Sequence, residues 1–598
     1  MPLLITKDDF ISSGWREVID STEKKECLSY WRGFWDKTKE AETANDTTNK
    51  QVYELLALVT HAKIKCEPSN NCFPSSMDRI SEEQLAFLPT IVEEITDPEL
   101  QARVADILWV KKSNYQMALL AISAYLQSAD ILEDPEHWPA CVDRISRAFY
   151  LSRKLKHKQQ EVIDHIESVL DRYSGEDPLW LSTKLMEMLL EARAGSPTKY
   201  ISLSEKAALL AESNYRWDIA RRLWHVKARW HRMNGDRPSE FSASMRECEV
   251  FVAQAEQVLQ QGTPLFSLAS VHLEKAVAGF RSIRGTEAET APAKERAKEI
   301  HRRLLTYQEN IPGELIPISE EIDISDFVKQ ARGTVRGKSL QEALFTLAVG
   351  HAPVSMDKLE DEVRRQASEF FTMDMFPIRI YNSMGKVVAS QPGAIGSSNP
   401  EESKKATLFK MYQDALLYQD VAVKSFIEPA REQIALEHNV SVRDILFLIS
   451  PSLFVPPGRE YSFALGIHAG LEGDFLTSTQ ILVPQIENSI RHIMWQRKII
   501  TSGLDDRGIQ NEHSLNSMLE REEVNSIFDK NTLFDLRGIL IEHSGSNLRN
   551  RMAHGLIDDQ EFYSSTIVRY LWWLILRLCC IPVLRSLASE NENVAESS

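Results

Sequence analysis

Near the C-terminus, residues 547–555 read NLRNRMAHG and set Arg549, Asn550, Arg551 and His554 within six positions. Packing does not require such a set. Two guanidiniums, a carboxamide and an imidazole make a poor core segment and a fair phosphate site. Arginine holds phosphate through paired hydrogen bonds, and histidine exchanges protons near neutral pH. On a short helix beginning near Asn547, Asn550 and His554 are four residues apart and share one face. Arg549 falls in the first turn, where free backbone N–H groups favour an anion. Gly555 lets the chain turn directly after His554. The histidine is then held at a helix end beside an arginine, with an amide able to bond its ring or a substrate. A plainer reading pairs Arg549 and Arg551 with acids such as Asp535 and Glu542 and makes His554 a helix cap.

Helices must position this segment, because residues 1–370 carry apolar residues at three- and four-residue spacing almost throughout. RISRAFYLSRKL, KYISLSEKAALLAESN and DIARRLWHVKARWHRMNGD each set Ala beside Leu or a large aromatic. Small residues let two helices approach while the large one fills the groove. These units are similar to tetratricopeptide-type repeats without a strict period, which predicts a divergent α-solenoid over 1–310. Prolines and a glycine in ENIPGELIPISEE mark a boundary, and 311–458 is expected to be a linker plus a mixed helical segment. Within it, 376–393 alternates apolar and polar residues around a turn at Asn382–Gly385, the pattern of a β-hairpin. A helical bundle is expected over 459–588, with Gly466, Gly470 and Gly473 along one helical stripe that permits close backbone approach. SGSN, 544–547, can cap the next helix, and Asp558 with Glu561 has capping-box spacing for a helix carrying Tyr570, Leu571, Trp572 and Trp573 into the core. The tail 589–598 lacks an apolar period and is expected to be disordered. The fold class is therefore mainly α with a small β-hairpin insertion.

The chain has 598 residues, too many for one core, and a net charge of −17. A polyanion is repelled at long range by such a chain, which argues against non-specific coating of nucleic acid but leaves room for a local phosphate site. Seven scattered cysteines point to a reducing compartment. The start of the chain is too acidic for a signal peptide. YLWWLILRLCCIPVL, 570–584, is short for a membrane span and is interrupted by Arg577, so a buried core helix is expected, with no membrane and a cytoplasmic location. His61, Cys66 and Cys72 have a loose metal-like spacing without a fourth ligand, so no metal and no cofactor are expected. No phosphate loop, kinase, hydrolase or zincin signature is present.

The run Arg549-Asn550-Arg551-Met552-Ala553-His554 resembles the Arg-x4–6-His motif of the HEPN superfamily, whose members are helical bundles in which a polar residue, often Asn, follows the Arg. NLRNRMAHGL, with VPQIENSIRHIM and GIQNEHSLNSML upstream, is similar to a bacterial family whose C-terminal domain is shared with the eukaryotic endoplasmic reticulum membrane-associated RNA degradation protein. The likeness spans 370–590 and leaves the N-terminal region unexplained. It implies a metal-independent endoribonuclease in which His554 is general acid and base, Arg549 stabilises phosphorane charge and Asn550 orients the histidine or phosphate. Arg551 is assigned to substrate phosphate, and Glu487 to anchoring an arginine. RNA would be cleaved by its own 2′-hydroxyl, leaving a 2′,3′-cyclic phosphate. The same likeness implies a homodimer with two motifs facing one groove, and a role in phage defence or as a toxin. A helical arm of this length would then regulate the nuclease by meeting a protein or phage trigger. The alternative is a non-catalytic helical scaffold or sensor ending in an inactive HEPN-like bundle that dimerises or binds nucleotides.

Overall fold

The computed structural model describes residues 5–62, 64, 76–176, 180–318, 321–369, 377–391, 393, 397 and 399–596, with side chains as far as 584. Cys66 and Cys72 lie outside the described residues. The structure is mainly α, with two small antiparallel hairpins among the described residues. It divides into two compact units, Met1–Glu314 and Leu315–Ser598.

The first unit is a succession of helices, most of them packed on the next in sequence. Side-chain caps start many of them, for example Asp97 on the Leu100 amide and Asn114 on the Met117 amide. The alanine positions behave as their spacing predicts. Ala208 and Ala220 are buried between the helices Pro197–Ser213 and Trp217–Met233. Beside them Tyr200 and Trp230 fill the groove with ring centroids 5.0 Å apart. Buried ion pairs fix further helices. Arg147 forks onto Asp106 through two bonds of 2.8 Å, and Tyr125 donates to the same carboxylate. Burial would push Glu99 up, but Arg144, Arg103 and Ser128 bring it down to about 2.

The second unit is built around the helix Thr566–Glu596. Tyr570, Trp572, Trp573, Leu574, Ile575, Leu576, Cys579 and Cys580 are all buried. The segment 566–584 is long and apolar enough to cross a membrane, yet two thirds of it is buried inside the protein. Trp572 Nε1 donates to the Ile467 carbonyl, and Trp573 Nε1 to Leu347. Arg577, the residue that breaks the apolar run, donates to the Ala348 and His351 carbonyls at 3.0 Å. It thereby satisfies the C-terminal end of the helix Leu340–Val349.

These bonds correct the expected boundary at 458/459. Val335, Leu344, Leu347, Ile427 and Ile445 share one core with Phe463, Ile490 and Trp573, so the helices that carry them belong to the bundle. A helix apolar on every side needs cover that 459–588 alone does not supply. Other local expectations also shift. Tyr570–Trp573 lie on this long helix, whereas the helix capped by Asp558 is a separate turn and a half, Asp559–Ser564. Helical backbone continues to Glu596, through the stretch expected to be disordered. Gly466 and Gly470 do admit close neighbours, Leu482 and the Trp572 indole, but Gly473 lies past the helix end at φ +86° and makes a turn.

Ile378–Tyr381 and Val387–Gln391 form the foreseen hairpin, with Ile378 opposite Gln391 and Ile380 opposite Ala389. Asn382 Oδ1 accepts from the Met384 and Lys386 amides, and Gly385 adopts φ +69°. A second hairpin, Ser502–Leu504 with Gln510–Glu512, was not signalled, because it is short, exposed and nearly without apolar alternation.

Asp535 ties the bundle together from the helix Lys530–Leu540. It is fully buried and accepts from Tyr570 Oη, Gln419 Nε2 and the Val354 amide. Burial outweighs these donors and pushes its pKa from 3.8 up to about 6. The folded chain therefore keeps a proton that the unfolded chain has already lost. The stabilising contribution is complete below the unfolded value and is lost as pH rises through about 6. Between pH 4 and 7 this one group should lower stability by about 2 kcal/mol. The check is urea unfolding of wild type against Asp535→Asn, whose stability difference should change by that amount over this range.

Candidate functional site

The motif sits on a helix of only six residues, Leu548–Ala553. The preceding turn sets where it starts. Gly545 lies against the backbone of Gly538, where no Cβ fits. The Ser546 amide then donates to the Gly538 carbonyl, and Ser546 Oγ to Ile539. Asn547 follows in the left-handed region at φ +49°, which asparagine tolerates. It does not cap the helix through its side chain, contrary to expectation. Leu548 is buried and anchors the start. At the other end, the Gly555 amide donates to Met552 and the Leu556 amide to Arg551, with Gly555 at φ +64°. This Schellman closure holds His554 at the helix end.

The structure sorts the motif residues onto two sides. Asn550, Arg551 and His554 line a cleft of about 820 Å³. Facing them are Tyr381, Met384 and Val388 of the first hairpin, with Leu417 and Asp420. His554 is exposed, and its amide donates to the Asn550 carbonyl. The predicted shared face of Asn550 and His554 is thus present, but the Asn550 amide group does not bond the imidazole. Its Oδ1 accepts from Arg549 at 3.0 Å and its Nδ2 donates to Asn547 Oδ1 at 2.7 Å.

Arg549 is turned toward Glu487 on the helix Phe475–Gln496, with NH2 3.1 Å from Oε2. Neither residue is part of the cleft wall among the described residues. Glu487 also meets Arg491 at 3.2 Å, and Arg491 meets Glu512 at 2.9 Å. Arg551 makes two bonds of 2.6 Å to Glu561, whose amide is capped by Asp558. The plainer reading of the sequence was therefore right that both arginines are ion-paired and wrong about their partners. Asp535 is taken by Tyr570, Gln419 and Val354, and Glu542 is half-buried, its carboxyl pushed up by burial.

Polar cleft residues next to the motif escaped the sequence reading. His543 and Asn547 both line the cleft. The signal was available, since His543 lies four positions before Asn547 and shares the segment HSGSN with it. The hairpin wall was unforeseeable as a wall, because 378–391 is far from the motif along the chain. Among the described residues, no group of three His, Cys, Asp or Glu side chains is placed to hold a metal ion.

The model of a domain of unknown function, DUF7380, matches residues 2–164. That match falls in the first unit and does not reach the cleft. No curated protein matches the chain, and no solved structure does.

Glu487 holds two guanidiniums with about a fifth of its side chain exposed. Glu487→Gln should cost on the order of 1 kcal/mol. Combining it with Arg549→Met should recover part of that loss, because the stranded cation is then gone. Urea unfolding of the four proteins of this cycle measures the coupling; strictly additive losses would show that the pair is screened.

Proposed function

We propose that this chain is a metal-independent endoribonuclease of HEPN type. The observation that carries the reading is the cleft whose wall contains Asn550, Arg551 and an exposed His554. In this reading His554 takes the proton of an RNA 2′-hydroxyl, and the 2′-oxygen attacks the adjacent phosphorus in line. The bond to the 5′-oxygen breaks, and that oxygen receives a proton. The products are a 2′,3′-cyclic phosphate and a 5′-hydroxyl end. Proton transfer by a placed histidine is worth about 10²–10⁴ in rate. Arg551 would exchange Glu561 for a substrate phosphate, and the opposite wall offers Tyr381 to a nucleobase. The helical repeat would bind a protein or phage-derived trigger and restrain the nuclease, in a defence or toxin role in the cytoplasm.

A second reading is favoured by the ion pairs. Arg549 and Arg551 are both already neutralised by Glu487 and Glu561, and the chain as a whole carries −17. A non-catalytic scaffold or nucleotide-binding bundle needs no free cation. The two readings separate with purified full-length protein and labelled RNA in EDTA. Cleavage that persists in EDTA and is lost by at least about 10²-fold in His554→Ala supports the nuclease. Cleavage that needs a metal, or survives His554→Ala, refutes it.

One imidazole must serve as base for the 2′-hydroxyl and as acid for the leaving oxygen, so we further propose that two copies bring two motifs to one groove. Light scattering of the full chain should give twice the 68.2 kDa protomer mass. A fully active, strictly monomeric protein would sink the shared groove.

A further inference from the structure

We infer that His543 is a second substrate-facing imidazole of the cleft, presenting an Nε2–H to a phosphoryl oxygen, and that Arg549 positions it through an amide relay. The identity of the substrate as RNA rests on the reading above; the relay does not.

The relay is a continuous run of hydrogen bonds. Arg549 NH2 meets Glu487 Oε2 at 3.1 Å, and Arg549 NH1 meets Asn550 Oδ1 at 3.0 Å. Asn550 Nδ2 meets Asn547 Oδ1 at 2.7 Å, and Asn547 Nδ2 meets His543 Nδ1 at 3.2 Å. Each direction follows from the one before it. A guanidinium only donates, so the oxygen of Asn550 must face Arg549. The NH₂ of Asn550 is then left for Asn547, which must turn its own oxygen to receive it. The NH₂ of Asn547 is left for His543, whose Nδ1 must therefore carry a lone pair. In the neutral ring the proton is then on Nε2. Asn547, whose backbone is left-handed, thus has its side chain between Asn550 and His543.

His543 is exposed and lines the same cleft as His554. With Nδ1 engaged by Asn547, its Nε2–H is a donor on the wall that also carries His554, and a placed donor of this kind stabilises charge growing on a phosphoryl oxygen. This also gives Arg549 a purpose in the position where it is found. Its guanidinium is occupied by Glu487 and Asn550, so the phosphorane role expected of it passes to His543, and Arg549 acts as a positioning residue.

The test compares full-length wild type, His543→Ala and His543→Gln. Glutamine can accept from Asn547 with its oxygen and still offer an N–H to the cleft, so it mimics the inferred tautomer. His543→Ala should lose on the order of 10²-fold in kcat with little change in KM, and His543→Gln should regain about tenfold or more of it. Replacing a non-bridging oxygen at the scissile phosphate by sulfur weakens an N–H bond to it. The resulting rate loss should be seen in wild type and vanish in His543→Ala. Thermal unfolding of the variants should match wild type, since the ring is exposed. Alanine as active as wild type, or glutamine no better than alanine, would overturn the inference. If wild type does not cleave RNA, the nuclease reading fails, and binding of 2′-O-methyl RNA decides the rest. Weaker binding by alanine restored by glutamine would keep the phosphodiester contact, and unchanged binding would remove it.

Discussion

The second unit depends on the burial of one helix, Thr566–Glu596. Between Tyr570 and Cys580 it has almost no face left for water. Such a helix needs cover on all sides, and each polar group it carries inward needs a partner. The structure answers both demands with the same elements. Trp572 and Trp573 give their indole N–H groups to the carbonyls of Ile467 and Leu347, and Arg577 closes the end of the helix Leu340–Val349. Tyr570 gives its hydroxyl to Asp535, which stands on the helix just before the motif turn. The packing constraint on one apolar helix thus reaches the site through a single buried carboxylate.

From Asp535 the geometry runs outward. The helix Lys530–Leu540 brings Gly538 against Gly545, and this contact sets the tight turn that leaves Asn547 left-handed and begins the motif helix. The motif is too short to hold its own side chains still. Glu487, on a different helix, holds Arg549, and Glu561 holds Arg551. Positive charge is therefore present beside the cleft and already compensated, so an anion entering it must compete with carboxylates. Such a site favours a ligand that fits the groove over any polyanion that drifts past, in keeping with the acidity of the chain.

Local spacing was enough for much of this. Alanine beside large apolar residues located the stacked helices of the first unit, because helix approach is decided by side-chain size at facing positions. Alternation around Asn382–Gly385 located the first hairpin, because a turn with φ above zero needs such residues. Gly555 marked the end of the motif helix for the same reason. The four-residue interval placed Asn550 and His554 on one wall of the cleft, since helical periodicity holds even over six residues.

What the tertiary structure decided is which distant groups meet. The acid that neutralises Arg551 could not be chosen from residue types and spacing, where Asp535 and Glu542 were as eligible as Glu561; Glu487 was singled out as the anchor of an arginine only by the family likeness, and it is Arg549 that it meets. Nor could the extent of the bundle be read that way, because the residues that cover Trp573 lie more than two hundred positions before it. The hairpin became a wall of the cleft, and His543 a neighbour of the motif, only through the folded path of the chain. Sequence by itself determined helix, turn and the chemical kind of each side chain, all of which depend on near neighbours. Partner choice and cleft shape depend on burial and on contacts between distant segments, and those exist only once the core around the Thr566 helix has closed.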